Sequence, residues 1–207
     1  MGGTADESEL VERSRNGDLD AFNQIVLVYQ DQVFSVCLRM LGSRQAAEDV
    51  AQDTFLSAFR NVRRMRGPTV RAWLLRIASN ACIDEIRRRK RQPQISLDLP
   101  AGDGEPVRTI DTPDPEVGPE QQALRVELRD ALCAELLRLP DDQRLVIILC
   151  DIEGLSYEEI AVAMETSVGT VKSRISRGRA RLREAVLARG ELFGDAIRIS
   201  SMTKTGE

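Results

Sequence analysis

Six of the chain's eight prolines fall between Pro93 and Pro119. Proline lacks a backbone N–H and fixes φ, so neither a helix interior nor a sheet ladder tolerates that density. The same 27 residues carry Asp98, Asp103, Glu105, Asp111, Asp114 and Glu116 against Arg108 alone, a local charge of −5. With too little apolar surface to offset the entropy of ordering, the stretch reads as a flexible acidic linker. Fully extended it spans at most about 90 Å. Whatever folds must therefore fold on either side of it. The expected organisation is a first domain over 1–92, the linker over 93–119, a second domain over 120–190, and a mobile tail over 191–207.

Both flanks are patterned for helices. Residues before about Asp6 read as a loose end. From Asp20, the positions Phe22, Ile25, Val26, Tyr29, Val33, Cys37 and Leu41 fall on one helical face, and Gly42 is a suitable stop. Ser43 can cap the next helix, whose inner stripe is Ala47, Val50, Ala51, Phe55, Ala58 and Phe59. Its outer side gathers Glu48, Asp49, Gln52 and Asp53, which the residues alone explain as a solvated polar face. Arg63 to Thr69 forms a basic loop with a Gly-Pro turn signal. A helix then starts near Thr69 and runs through Val70, Trp73, Leu74, Ile77, Ala78, Ala81, Cys82 and Ile86 into the RRRKR cluster at Arg87 to Arg91. On its other side Arg76, Asn80, Asp84, Arg87 and Arg91 form one polar row. An amide and a carboxylate among arginines can hydrogen-bond base edges while neighbouring cations hold phosphate.

In the second domain Leu124, Leu128, Ala131, Leu132, Leu136 and Leu139 predict one helical stripe, broken at Pro140. Asp141 can cap another helix ending near Gly154. Ser156 and Glu159 then form the pattern S-x-x-E, in which each side chain satisfies an unpaired backbone N–H at a helix start. Ile160, Ala161 and Met164 supply that helix's buried stripe. Ser167 offers a second cap, and Val168, Val171, Ile175 and Leu182 carry a second helix. The result is a helix-turn-helix. Its second helix bears Lys172, Arg174, Arg177, Arg179, Arg181 and Arg183. A cationic helix of this kind can enter a major groove. Gly178 stands within it, where an exposed glycine costs about 1 kcal/mol, so fraying beyond that point is expected.

Composition excludes several classes of function. The chain has no histidine, which removes the usual general base and metal ligand, and no G-x-x-x-x-G-K-[ST] loop is present. Cys37, Cys82, Cys133 and Cys150 stand far apart in apolar patterns, as buried reduced thiols do. Neither a cofactor nor a metal site is expected. The longest strong apolar run, Leu145 to Cys150, is too short to cross a bilayer, and the N-terminus has no signal-peptide pattern, so a cytoplasmic protein without membrane insertion is expected. Net charge is −4, so the cations act locally. Six of the eight aromatic residues lie in the first domain at core spacings, leaving few for stacking on single strands.

The chain resembles the extracytoplasmic-function sigma factors of bacterial RNA polymerase, which have only the region-two and region-four domains. The likeness is carried by AEDVAQDTFLSAFR (Ala47 to Arg60), RAWLLRIASNACIDEIRRRKR (Arg71 to Arg91), LPDDQRLVIILCDIEGLSYEEIA and GTVKSRISRGRARL (Gly169 to Leu182), and it covers about Ser8 to Ala188. It implies an all-α fold of two small domains, a region 2 bundle and a region 4 helix-turn-helix, and no enzymatic chemistry. By the resemblance, Asp49, Gln52 and Asp53 contact the beta-prime clamp of core RNA polymerase, and region 4 meets the beta flap. Lys172, Ser173, Arg174 and Arg177 read the minus-35 promoter element while Thr170 and Arg181 hold phosphates. Asn80, Asp84 and the loop Arg63 to Thr69 hold an unpaired minus-ten base, with Arg76, Arg87 and Arg88 on the backbone. The resemblance further implies promoter-specific initiation, control by an anti-sigma factor in a stress or envelope response, and weaker promoter melting than in primary sigma factors.

Two departures from commoner members are Pro68-Thr69-Val70 ahead of Arg71-Ala72-Trp73, and Gly178. A stand-alone regulator would use the same helix-turn-helix without polymerase and bind duplex DNA unaided. An enzyme or nucleotide switch lacks its motifs here, and an anti-sigma adaptor would not need two cationic elements.

Overall fold

A computed structural model describes residues 4–65, 69–91 and 118–188. The expectations for the acidic linker and the tail fall almost wholly outside these residues. Among the described residues every regular element is helical.

The first body has four helices: α1 (Thr4–Arg15), α2 (Leu19–Leu41), α3 (Arg44–Asn61) and α4 (Val70–Arg91), with a 3-10 turn at Val62–Arg64. Helix α1 was not expected, since its segment offers only Leu10 and Val11 as an apolar pair. Both are buried, and Ser14 returns its hydroxyl to Leu10 O at 2.6 Å. A helix that short gains its stability by docking. Gly17 at φ 92 turns the chain, and the Asp18 carboxylate caps α2 through Asp20 N and Ala21 N. The expected stop at Gly42 is present, with φ 66 and its N–H donating to Leu38 O. Ser43 caps α3 through Ala46 N, and Thr69 Oγ1 accepts from Ala72 N at the start of α4. Between these helices Ile25, Val33, Val36, Leu74 and Ala78 are buried, and Phe22 meets Phe59 edge-on at 5.1 Å between ring centroids.

The second body holds α5 (Pro119–Arg138), α6 (Asp141–Ile147), a widened π turn at Ile148–Ile152, α7 (Tyr157–Ala163) and α8 (Val168–Ala188). In α5 the buried residues are Cys133, Glu135, Leu136 and Leu139, whereas Leu132, expected inside, is 39% exposed. The helix is rotated because it faces two neighbours: Leu137 lies against Gly42 of α2, while the α5 end meets α6. Asp141 does not cap α6, for Pro140 occupies the cap position. Its carboxylate instead reaches Lys90 Nζ at 2.5 Å and Arg144 at 3.5 Å.

The buried apolar residues of the two bodies join in one contiguous cluster. Polar ties also cross between them. Arg144 is the most connected: Nη1 donates to Met40 O of α2 at 2.5 Å, while Nε and Nη2 donate to Leu136 O, Leu137 O and Leu139 O at the end of α5. These carbonyls stand at the ends of two helices, where Leu136 O also accepts from Leu139 N at 3.1 Å, so one guanidinium helps to close both ends. Burial lowers the pKa of Arg144, partly offset by Asp141. A guanidinium nevertheless stays charged.

Candidate nucleic-acid interface

The helix-turn-helix forms as its caps dictate. Ser156 Oγ accepts from Glu159 N at 3.2 Å and Glu159 Oε2 accepts from Ser156 N at 2.8 Å, so both halves of the capping box are made. Between α7 and α8, Glu165 turns the chain at φ 50. Ser167 Oγ accepts from Thr170 N at 3.1 Å, and the hydroxyls of Ser167 and Thr170 lie 2.9 Å apart. Ile160, Val171 and Ile175 lock the two helices together in the core.

Gly178 is buried, not exposed. A Cβ there would stand 2.9 Å from Ile147 Cγ1 and 3.4 Å from Gln143 O, so glycine is what lets α8 lie close on α6. The expected fraying is therefore corrected: the helix runs on to Ala188. This packing sorts the cations. Arg174 pairs with Asp142 at 2.9 Å, Arg181 donates to Gln143 Oε1 at 2.9 Å, and Arg179 pairs with Asp151 at 2.5 Å. The hydrogen bonds that Arg179 donates to Asp151 raise the Arg179 pKa. Lys172 and Arg177 are exposed and make no ion pair with another described residue. Ser173 stands half-buried between them on α8.

In the first body, Arg76, Asn80 and Asp84 of α4 open onto a cavity of about 510 Å³ against α3 and the 3-10 turn. Trp73 and Ile77 form its apolar wall, and Asp53, Ser57 and Arg64 complete its rim. Asp53, Arg76 and Asn80 have no side-chain partner among the described residues, so their hydrogen-bonding capacity is unspent on the protein. Asp84 is held loosely by Arg87 at 3.6 Å. Arg88 and Arg89 both close on Glu85 at 2.7 Å, and the Arg88 hydrogen bond leads in holding that carboxyl down at about 2. The basic turn is fastened from α1: Arg15 donates to Met65 O at 3.1 Å and Arg63 to Arg15 O at 2.9 Å. Arg66 to Pro68 lie outside the described residues.

The three α3 residues expected on one polymerase-binding face, Asp49, Gln52 and Asp53, are all exposed. Gln52 borders a smaller hollow of about 290 Å³ between α2 and α3, where Arg44 lies 5.5 Å over the Phe34 ring. Asp53 also borders the α4 cavity. Sequence periodicity placed Asp53 on the outer side of its own helix but carried no signal of the neighbouring helix that makes that side a cavity wall.

The fold is thus a two-bodied helical protein, one body carrying a helix-turn-helix with Lys172 and Arg177 exposed on its second helix, the other a polar cavity walled by Trp73. Two family models match it: Sigma-70 region 2 over residues 25–92 and Sigma-70 region 4 over residues 129–182. The chain is 37% identical over 175 residues to the ECF RNA polymerase sigma factor SigW of Bacillus subtilis, covering 84% of this chain and 93% of that protein. It is 37% identical over 181 residues to the RNA polymerase sigma-H factor of Pseudomonas aeruginosa, covering 87% and 93%. Among solved structures, the sigma factor RpoE in complex with the anti-sigma factor NepR from Bartonella quintana is similar, with a TM-score of 0.63 and 27% identity over 81% of this chain and 98% of that one. CnrH in complex with the cytosolic domain of CnrY gives a TM-score of 0.62 and 26% identity over 88% and 98%. The chain belongs to the extracytoplasmic-function sigma factors of bacterial RNA polymerase. Among the described residues no helix is long and apolar enough to cross a membrane.

Proposed function

We propose that the chain directs core RNA polymerase to promoters by reading two elements with its two bodies. The observation that carries this reading is the α4 cavity, where Asp53, Arg76 and Asn80 have no side-chain partner among the described residues and Trp73 forms the wall. Extruding a base from the stack costs a few kcal/mol, and a site with free donors, free acceptors and an apolar wall returns that energy. Asn80 and Asp84 hold the unpaired minus-ten base, Arg76 and Arg87 hold the flanking backbone, and Arg88 does so only by giving up part of its contact with Glu85. Asp53 serves this cavity, leaving Asp49 and Gln52 to meet the beta-prime clamp. Region 4 rests on the beta flap.

On α8, Lys172, Ser173 and Arg177 read the minus-35 element directly. Arg174 and Arg181 join them by exchanging Asp142 and Gln143 for DNA, and Thr170 holds phosphate at the helix start. An anti-sigma partner is proposed because one of the two similar solved structures is a sigma factor in complex with the anti-sigma factor NepR. The cytoplasm, where core polymerase works, is the proposed location.

Run-off transcription with purified core polymerase and a promoter library tests the proposal. Asn80→Ala is expected to cut open-complex formation about tenfold or more without loss of polymerase binding, the discrimination of a good base contact being about 1–3 kcal/mol. Failure of the chain to bind core polymerase, or binding without start-site choice, overturns it.

A further inference from the structure

The surface between the two bodies buries a charge that the DNA-reading groups do not use. Glu153 follows the π turn after α6, and its side chain is only 7% exposed. All its side-chain partners among the described residues lie across the boundary. Gln32 Nε2 donates to Glu153 Oε2 at 2.6 Å, the Arg39 guanidinium stands 3.9 Å from Oε1, and Arg71 stands 3.5 Å from Oε2. Arg71 also donates to the Glu153 carbonyl. Burying a carboxylate is costly unless partners compensate, and these partners exist only while the bodies touch. Separation returns Glu153 to water and releases Gln32 and Arg71 together, while Arg39 keeps its bond to Ser35 Oγ.

Arg71 gives this contact a target. It lies in the first turn of α4, two residues from Trp73, which walls the cavity, and every acceptor it has among the described residues belongs to Glu153. A carboxylate and a phosphate make the same demand on a guanidinium, so one can stand where the other would bind. The bodies must also part. The minus-35 and minus-ten elements lie about 25 base pairs apart, about 85 Å at 3.4 Å per step. A packed body of this many residues is only about 40 Å across.

We infer that Glu153 is an intramolecular latch: in the free chain its carboxylate occupies Arg71 and holds region 4 on region 2, and promoter engagement exchanges that carboxylate for a DNA phosphate. The DNA half of this inference rests on the function proposed above, while the closure half does not.

The test uses the full-length chain, with small-angle X-ray scattering for its dimensions and fluorescence anisotropy on a labelled 40-base-pair duplex of arbitrary sequence, because a phosphate contact is blind to sequence. Glu153→Gln keeps the shape but not the charge. It is expected to enlarge the radius of gyration and, where the latch holds about nine chains in ten closed, to tighten duplex binding about tenfold. Arg71→Gln, on a half-exposed side chain with little risk to the fold, is expected to open the chain equally while gaining no affinity. Dimensions unchanged in both single variants overturn the latch. Opening without tighter binding in Glu153→Gln overturns the exchange at Arg71. A chain that opens on Glu153→Gln yet never binds core polymerase leaves closure intact and sinks only the sigma-factor reading.

Discussion

At the scale of single residues, two positions turn on what lies opposite them. Gly178 in α8 has Ile147 and Gln143 so close that even a methyl group overlaps them. Alanine's better helix propensity, about 1 kcal/mol, opposes an overpacking cost of about 1–3 kcal/mol. Gly178→Ala is therefore expected to lower stability by about 1 kcal/mol in urea melts, and a variant as stable as the parent would refute the close-packing account. Glu85 in α4 has its carboxyl held down at about 2 by Arg88 and Arg89, against 4.5 for the free group. Because the folded value is the lower one, its contribution is complete above about pH 4.5 and disappears as pH falls towards 2. Glu85→Gln should flatten the acid side of the stability curve across that window. Urea midpoints measured from pH 5 to pH 2 check this, and an unchanged slope would exclude the pair as its source.

At the scale of elements, what the sequence made legible is what one residue decides locally. Gly42, Ser43, Ser156 with Glu159, and Ser167 each satisfy a backbone group of their own helix, and each stands at the helix end its chemistry demands. Ser156→Ala is expected to cost about 1 kcal/mol in thermal melts, within the usual range for losing an N-cap, because it also leaves Glu159 to cap alone. Glu159→Gln should cost less, since an amide oxygen still accepts from Ser156 N. Elements whose form depends on a distant surface were not legible. Helix α1 has two apolar residues and exists by docking, α5 turns its face to suit α2, and Gly178 is inside because α6 covers it. The candidate site divides the same way. The row Arg76, Asn80, Asp84 follows from helical spacing, but its meeting with Asp53 and Arg64 depends on the angle between α3 and α4, which no periodicity encodes.

At the scale of the whole molecule, the ties between the bodies differ in how reversible they are. Lys90 with Asp141 is largely exposed, and such pairs contribute little. Glu153 is buried, but its side-chain partners among the described residues are all on one side, so it can be exchanged as a unit. Arg144 combines both kinds of bond: one of its backbone hydrogen bonds goes to Met40 of α2, and the other three go to carbonyls of α5. Opening the molecule breaks the first and leaves the three that cap the second body, so region 4 can depart folded. Replacing Arg144 takes the guanidinium from Met40 O, Leu137 O and Leu139 O, while Leu136 O keeps Leu139 N, and leaving a buried acceptor unsatisfied costs about 1–3 kcal/mol. Lysine cannot rescue it, because a single ammonium cannot reach acceptors spread around a planar fork. In calorimetry of the full chain the parent should melt in one transition, carried by the shared apolar cluster. Arg144→Met should split it into an early transition for α5–α8 and a later one for α1–α4. A variant that still melts in one step, merely at lower temperature, would mean that the two bodies are bound too tightly by their apolar contact for region 4 to leave intact.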